Sequence, residues 1–159
     1  MTSVAVFLLL AAPIHAYPVP GVSMSFEPII YHYADVYLVP RWWAMATARE
    51  ESDFYPRAQS KKRVKMGRHW TTVPSSRGLF QINKDHQAEH ARNAGVKNFH
   101  WWNPHQSARV GIALMAKLRK RYHGDLMLAS ASYNAGSGRI EGPREIPGET
   151  IGYLGRIFK

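Results

Sequence analysis

From Asn103 to Gly124 the chain reads NPHQSARVGIALMAKLRKRYHG. Val110, Leu114 and Leu118 fall along one side of a helix, and Ile112 and Met115 widen that stripe, so the spacing predicts a long one-sided helix. A helix of this kind must bury its stripe against other elements, and the flanking segments supply further helices. In FEPIIYHYADVYLVP, residues 26–40, helical spacing sets Ile29, Ile30, Tyr33, Val36 and Tyr37 toward a core. Pro40 suits the first turn of a second helix, PRWWAMATAREE, since a proline there forfeits no needed hydrogen bond. Trp42 and Trp43 are expected inside, with Met45 or Ala46, and Glu51 falls in the last turn. Pro56 then stops the helix, because the residue before a proline is pushed away from helical geometry. LFQINKDHQAEHARNAG predicts a short turn and a helix closing near Gly95. GDLMLASASYNAG predicts a helix capped by Asp125 and closed at Gly136, and PGETIGYLGRIFK a short terminal helix. No stretch alternates as a strand should, no repeat is present, and the basic segment Ser60 to Ser76 reads as a loop or lid. The fold class expected is mainly α.

A chain of 159 residues is long enough for one domain with a real core and short for two. Its 21 Lys and Arg against 11 Asp and Glu leave a net charge of +10, which favours an anionic partner: nucleic acid, lipid headgroups or an acidic polymer. With no cysteine, disulfides and thiolate metal sites are excluded. The apolar run from Val4 to Ala12, followed by Pro13 and the small residue Ala16, reads as an export signal over residues 1–16, too short to span a bilayer. The absence of Lys or Arg before it leaves an uncleaved apolar helix, an anchor or packing element, as the alternative. Residues 17–25 form a Pro-rich spacer and 26–159 the folded domain.

Two adjacent glutamates, Glu50 and Glu51, stand where the second helix should end. A carboxylate is disfavoured there by the helix dipole, so a glutamate at that position invites a functional reading. Around it the motifs follow a fixed order: Pro40, Glu51-Ser52 with Phe54, Ser60, Gly78-Leu79-Phe80-Gln81, Tyr133-Asn134-Ala135-Gly136, then Glu149-Thr150 with Tyr153. Together they resemble the soluble lytic transglycosylase family, whose catalytic domain has a goose-lysozyme-like fold, over Phe26 to Phe158. Three departures stand out: an inserted basic stretch from Lys61 to Arg77, Phe80 where the family has methionine, and Asn103-Pro104-His105-Gln106-Ser107-Ala108 for the family's Asp-Pro-x-x-Asn-Ile.

The resemblance implies a helical, lysozyme-like domain with an active-site cleft, and a peptidoglycan lytic transglycosylase cutting the MurNAc-GlcNAc β-1,4 bond. It assigns catalysis to Glu51, with Glu50 about 100° further round the helix and solvated. Glycosidases ordinarily use two carboxylates; this family is similar in chemistry but manages with one, assisted by the substrate's N-acetyl group, and leaves a 1,6-anhydromuramoyl end. Glu51 would then need a pKa raised by burial. By the same resemblance Ser60 would bond near Glu51 and the N-acetyl group, Gly78 would permit close backbone approach, Gln81 would line the cleft, and Tyr133, Asn134 and Tyr153 would hold substrate or the carboxyl. The alternatives are a goose-type muramidase that uses water, and a silent glycan-binding or assembly module. No cofactor and no metal are expected: His86 and His90 lie four apart with no third ligand indicated. Trp70, Trp101 and Trp102 sit in expected loops, where they could stack on sugars or pack. The run KKRVK reads as a solvated face drawn to anionic wall or membrane, and nucleic-acid binding is not expected. The implied partner is peptidoglycan glycan strands, met by an exported monomer in the periplasm or cell envelope, with secretion, conjugation or phage machinery as possible company.

Overall fold

The computed structural model describes residues 26–159, so the expected export signal and spacer lie outside the described residues. Seven helices and one three-stranded sheet follow in order: α1 Glu27–Val36, α2 Arg41–Ser52, β1 Gln59–Met66, β2 His69–Arg77, β3 Ile82–Asn83, α3 Gln87–Asn93, α4 Pro104–Arg121, α5 Leu126–Ala135, α6 Ser137–Ile140 and α7 Gly148–Ile157. No helix among them is long and apolar enough to cross a membrane.

α4 is the central strut. Asn103 caps it, its side chain accepting from the Gln106 amide at 3.2 Å, Pro104 opens its first turn, and Arg119, Lys120 and Arg121 complement the dipole at its far end. Val110, Ile112, Met115 and Leu118 are buried as expected, whereas Leu114 is half-buried on the cleft side. α5 starts behind the Asp125 cap, which accepts from Leu128, and stops at Gly136. α1 buries Ile30 and Ala34 and leaves Val36 57 % exposed, contrary to the expected stripe. The reason is local: the chain turns back through Leu38 at φ +54, and Val39 takes the next inward place with its amide on the Ala34 carbonyl.

Trp42 is exposed, not core; it meets Phe158 edge-on at the surface while Trp43 is buried. Neighbours on a helix point about 100° apart, so only one of the pair can face inward. The buried indole is satisfied, its Nε1 donating to Ser130 Oγ of α5 at 2.8 Å.

The segment expected as a loop or lid is a β-hairpin. β1 and β2 pair antiparallel from Lys61↔Pro74 to Met66↔His69 across a Gly67-Arg68 turn with Gly67 at φ +60, and β3 adds Ile82 beside Arg77. A bulge near Gln59 to Lys61 marks its foot. Alternation fails as a signal here because β1 buries no face: only Val64 in it is even half-buried.

Candidate active site

The end of α2, the hairpin foot, the 78–83 turn, the face of α5 and α7 enclose a cleft of about 900 Å³. Glu51 lies on it. Its Oε1 accepts from the Tyr153 hydroxyl at 2.9 Å, bringing together residues 102 apart in sequence. Burial pushes the Glu51 carboxyl up from 4.5 to about 7; the Tyr153 bond opposes that rise and the neighbouring Glu50 adds to it. Burial, with the Glu51 charge beside it, lifts the Tyr153 phenol far above its ordinary range, so Tyr153 keeps its proton and donates a hydrogen bond to the Glu51 carboxyl.

Glu50 is not a solvated bystander. Its side chain is 20 % exposed and accepts from Arg156 Nε at 2.5 Å. Tyr153 and Arg156 are three apart on α7 and share a face, so one helix holds both glutamates.

The Gly78-Leu79-Phe80-Gln81 turn is the junction behind the carboxyl. Ser52 Oγ, next to Glu51, lies 2.8 Å from the Leu79 carbonyl and fixes the end of α2 to the turn. The Phe80 carbonyl accepts from Tyr133 at 2.7 Å, and its amide donates to the buried Ser107 Oγ of α4 at 3.2 Å. Gln81 holds a left-handed φ of +43, its amide nitrogen donating to the Ala58 and Gly78 carbonyls, both at 3.0 Å. Gly78 has φ +84, and a Cβ there would stand 2.2 Å from the Trp101 carbonyl oxygen. The close approach Gly78 permits is therefore to the protein's own backbone.

Gln81, Tyr133, Asn134 and Tyr153 thus gather around Glu51's cleft, and Gly78 supports it from behind. Asn134 is exposed, its Oδ1 accepting from the buried Thr150 Oγ1 at 2.8 Å, which ties α5 to α7. Ser60 is on the cleft wall but bonded within the hairpin bulge, to Ser75 Oγ at 2.8 Å and from the Ser76 amide at 3.2 Å, rather than to Glu51. His86 and His90 border the cleft with ring centres 6.1 Å apart, and burial lowers the His90 pKa. Among the described residues no group of three metal-ligating side chains surrounds them. Glu149 also borders the cleft, exposed in the first turn of α7, where a helix dipole favours an anion.

Four roles were not legible in the sequence: Ser52 anchoring the end of α2, Ser107 holding the Phe80 amide, Thr150 bonded to Asn134, and Arg156 paired with Glu50. Ser107 carried a faint signal, a polar residue on the stripe side of α4 at the place of the family's Asn. Arg156 carried another, three residues beyond Tyr153.

Residues 29–151 match the family model described as transglycosylase SLT domain. Among solved structures, the chain is similar to an inactive Glu-to-Gln mutant of the lytic transglycosylase Slt from Pseudomonas aeruginosa, at 23 % identity and a TM-score of 0.68, covering 86 % of this chain and 23 % of that one. It is similar also to the 70-kDa soluble lytic transglycosylase from Escherichia coli, at 23 % identity and TM-score 0.65, over 82 % of this chain and 22 % of that one. A complex of a 70-kDa soluble lytic transglycosylase with bulgecin A matches at 20 % identity and TM-score 0.59, over 86 % and 19 %. The chain spans less than a quarter of the length of these proteins. A comparison with curated proteins found no match.

Proposed function

The chain belongs to the transglycosylase SLT domain family, and from that premise we propose that it is a peptidoglycan lytic transglycosylase with Glu51 as its single acid and base. The observation that carries this reading is a carboxyl on the cleft with its pKa raised to about 7 and one oxygen held by Tyr153. Such a group is protonated often enough near neutrality to give its proton to a leaving oxygen, and basic enough afterwards to take one back. The inactive Glu-to-Gln form of the Pseudomonas relative supports a dependence on glutamate.

In the reaction proposed, Glu51 protonates the β-1,4 oxygen between MurNAc and GlcNAc as the bond from that oxygen to C1 of MurNAc breaks. The N-acetyl carbonyl oxygen of the same sugar closes on C1 from the opposite face, taking the place of a second carboxylate. Glu51, now ionised, removes the C6 hydroxyl proton while the C6 oxygen displaces the acetamido oxygen. A 1,6-anhydro end results, and Glu51 is protonated again. Asn134, with Oδ1 engaged by Thr150, has its amide nitrogen left to donate to an acetamido group, and Gln81 and Tyr133 form the wall behind the sugar. Because this polymer lies outside the cytoplasmic membrane, the reading includes export to the periplasm or envelope.

Digestion of purified peptidoglycan, with the products weighed by mass spectrometry, is the test. Wild type should release 1,6-anhydromuramoyl ends and Glu51→Gln should lose roughly 10²- to 10⁴-fold in rate, the span a positioned acid contributes. Reducing ends in their place would make the enzyme a hydrolase, and full activity of Glu51→Gln would remove Glu51 from its role.

A further inference from the structure

Between Asp53 and Asp85 the chain carries eight Lys and Arg and no Asp or Glu. The hairpin holds most of them. Among the described residues only Lys62 of the hairpin's cations has an acidic partner, Asp85 at 2.8 Å. The β1–β2 register puts Lys61, Arg63 and Lys65 on one face, opposite Pro74, Thr72 and Trp70. Arg63 lies over the Trp70 ring, 5.5 Å from its centre, and Trp70 is 59 % exposed. Successive cations on this face stand roughly 7 Å apart along the strand. Lys61, at the foot, lines the cleft, so the cationic face begins at the cleft wall and runs outward from it.

We propose that this face is a binding site for the carboxylates on the peptide side chains of the polymer whose glycan strand occupies the cleft. The inference rests on the peptidoglycan reading above. Three like charges in a row on an exposed strand repel one another, and no carboxylate among the described residues pairs with any of the three. A strand bearing carboxylates at intervals removes that repulsion, and its neighbouring sugar or peptide planes can lie against Trp70. The contact is made outside the reacting centre, so it governs capture of substrate rather than bond cleavage.

The binding of soluble glycan strands to the full chain carrying Glu51→Gln, which holds the polymer uncut, tests this by calorimetry. Two preparations are compared, one with its peptides and one stripped of them by an amidase, the lactyl carboxylates so exposed on the glycan being capped as neutral methylamides. Adding Arg63→Gln and Lys65→Gln should weaken binding of peptide-bearing strands roughly three- to tenfold, the worth of two exposed ion pairs, and leave the stripped strands unaffected. Arg63→Lys with Lys65→Arg should restore it, and about 0.5 M salt should abolish the difference. Equal loss on both preparations, or no loss on either, overturns the site while leaving the peptidoglycan reading intact. Loss confined to vesicles of phosphatidylglycerol reassigns the face to a membrane and also overturns it. Failure of both strands to bind any form of the protein overturns the peptidoglycan reading, and the site with it.

Discussion

At Glu51 the direction of the pKa shift decides two measurable things. The unfolded carboxyl ionises near 4.5, while the native one holds its proton to about 7. Native protein therefore binds the extra proton between those values, and stability falls as pH rises through that window, the reverse of an ordinary paired carboxylate. Glu51→Gln has no such proton to lose. Its stability advantage over wild type should open above about pH 4.5 and level off beyond pH 7 at on the order of 3 kcal/mol, read from denaturant midpoints across pH; a gap that does not change with pH would contradict the buried acid. Activity should likewise fall as pH rises through about 7, as the acid is lost. The Tyr153 bond holds the Glu51 pKa down, so Tyr153→Phe should move that alkaline fall upward while lowering kcat. A profile left in place would make Tyr153 mere packing. Of this site, the dipole argument marked the Glu50-Glu51 pair at the end of its helix, and the resemblance, through Ser52, singled out Glu51. Its partners were legible only through motif order, since nothing local in the sequence says that Tyr153 reaches across 102 residues.

Among elements, the 78–81 turn anchors the end of α2 through Ser52, and it is built around one large side chain. Phe80 fills a position that α4 opens with Gly111: a Cβ there would meet Phe80 carbons at 2.4 to 2.7 Å, and both residues are fully packed in the core. Phe80 and Gly111 thus fit as a pair. Gly111→Ala, favourable for a solvated helix by propensity, should here destabilise by about 1 to 3 kcal/mol through overpacking and displace the Leu79 carbonyl from Ser52. A lowered Tm together with reduced activity checks it, and a raised Tm would show the turn to be slack. The helices could be read from their stripes and caps, α4 and α5 nearly to the residue. The hairpin could not, because β1 is solvated, β2 is no more than half-buried, and its order comes from the backbone ladder. Gly67 between Val64 and the β-prone Trp70-Thr71-Thr72-Val73 run was the available signal, and the lysine and arginine density masked it.

Across the whole molecule, the site exists only where the last helix returns to the second. α7 contributes Thr150 to Asn134, Tyr153 to Glu51 and Arg156 to Glu50, three bonds on successive turns that join α5 and α2 to one element. The Arg156 pair is the outermost, and at 52 % exposure of the arginine it contributes little stability by itself. Its larger effect is electrostatic. Glu50 already raises the Glu51 pKa, and Arg156 offsets that charge from the same side. Arg156→Gln should therefore shift the alkaline fall in activity above that of wild type, and loosen α7 enough to speed amide exchange at Thr150 and Tyr153. The two readouts separate the roles: faster exchange with an unmoved pH profile would leave Arg156 as a clamp alone, whereas a moved profile with unchanged exchange would leave it as a charge acting on the carboxyl through Glu50.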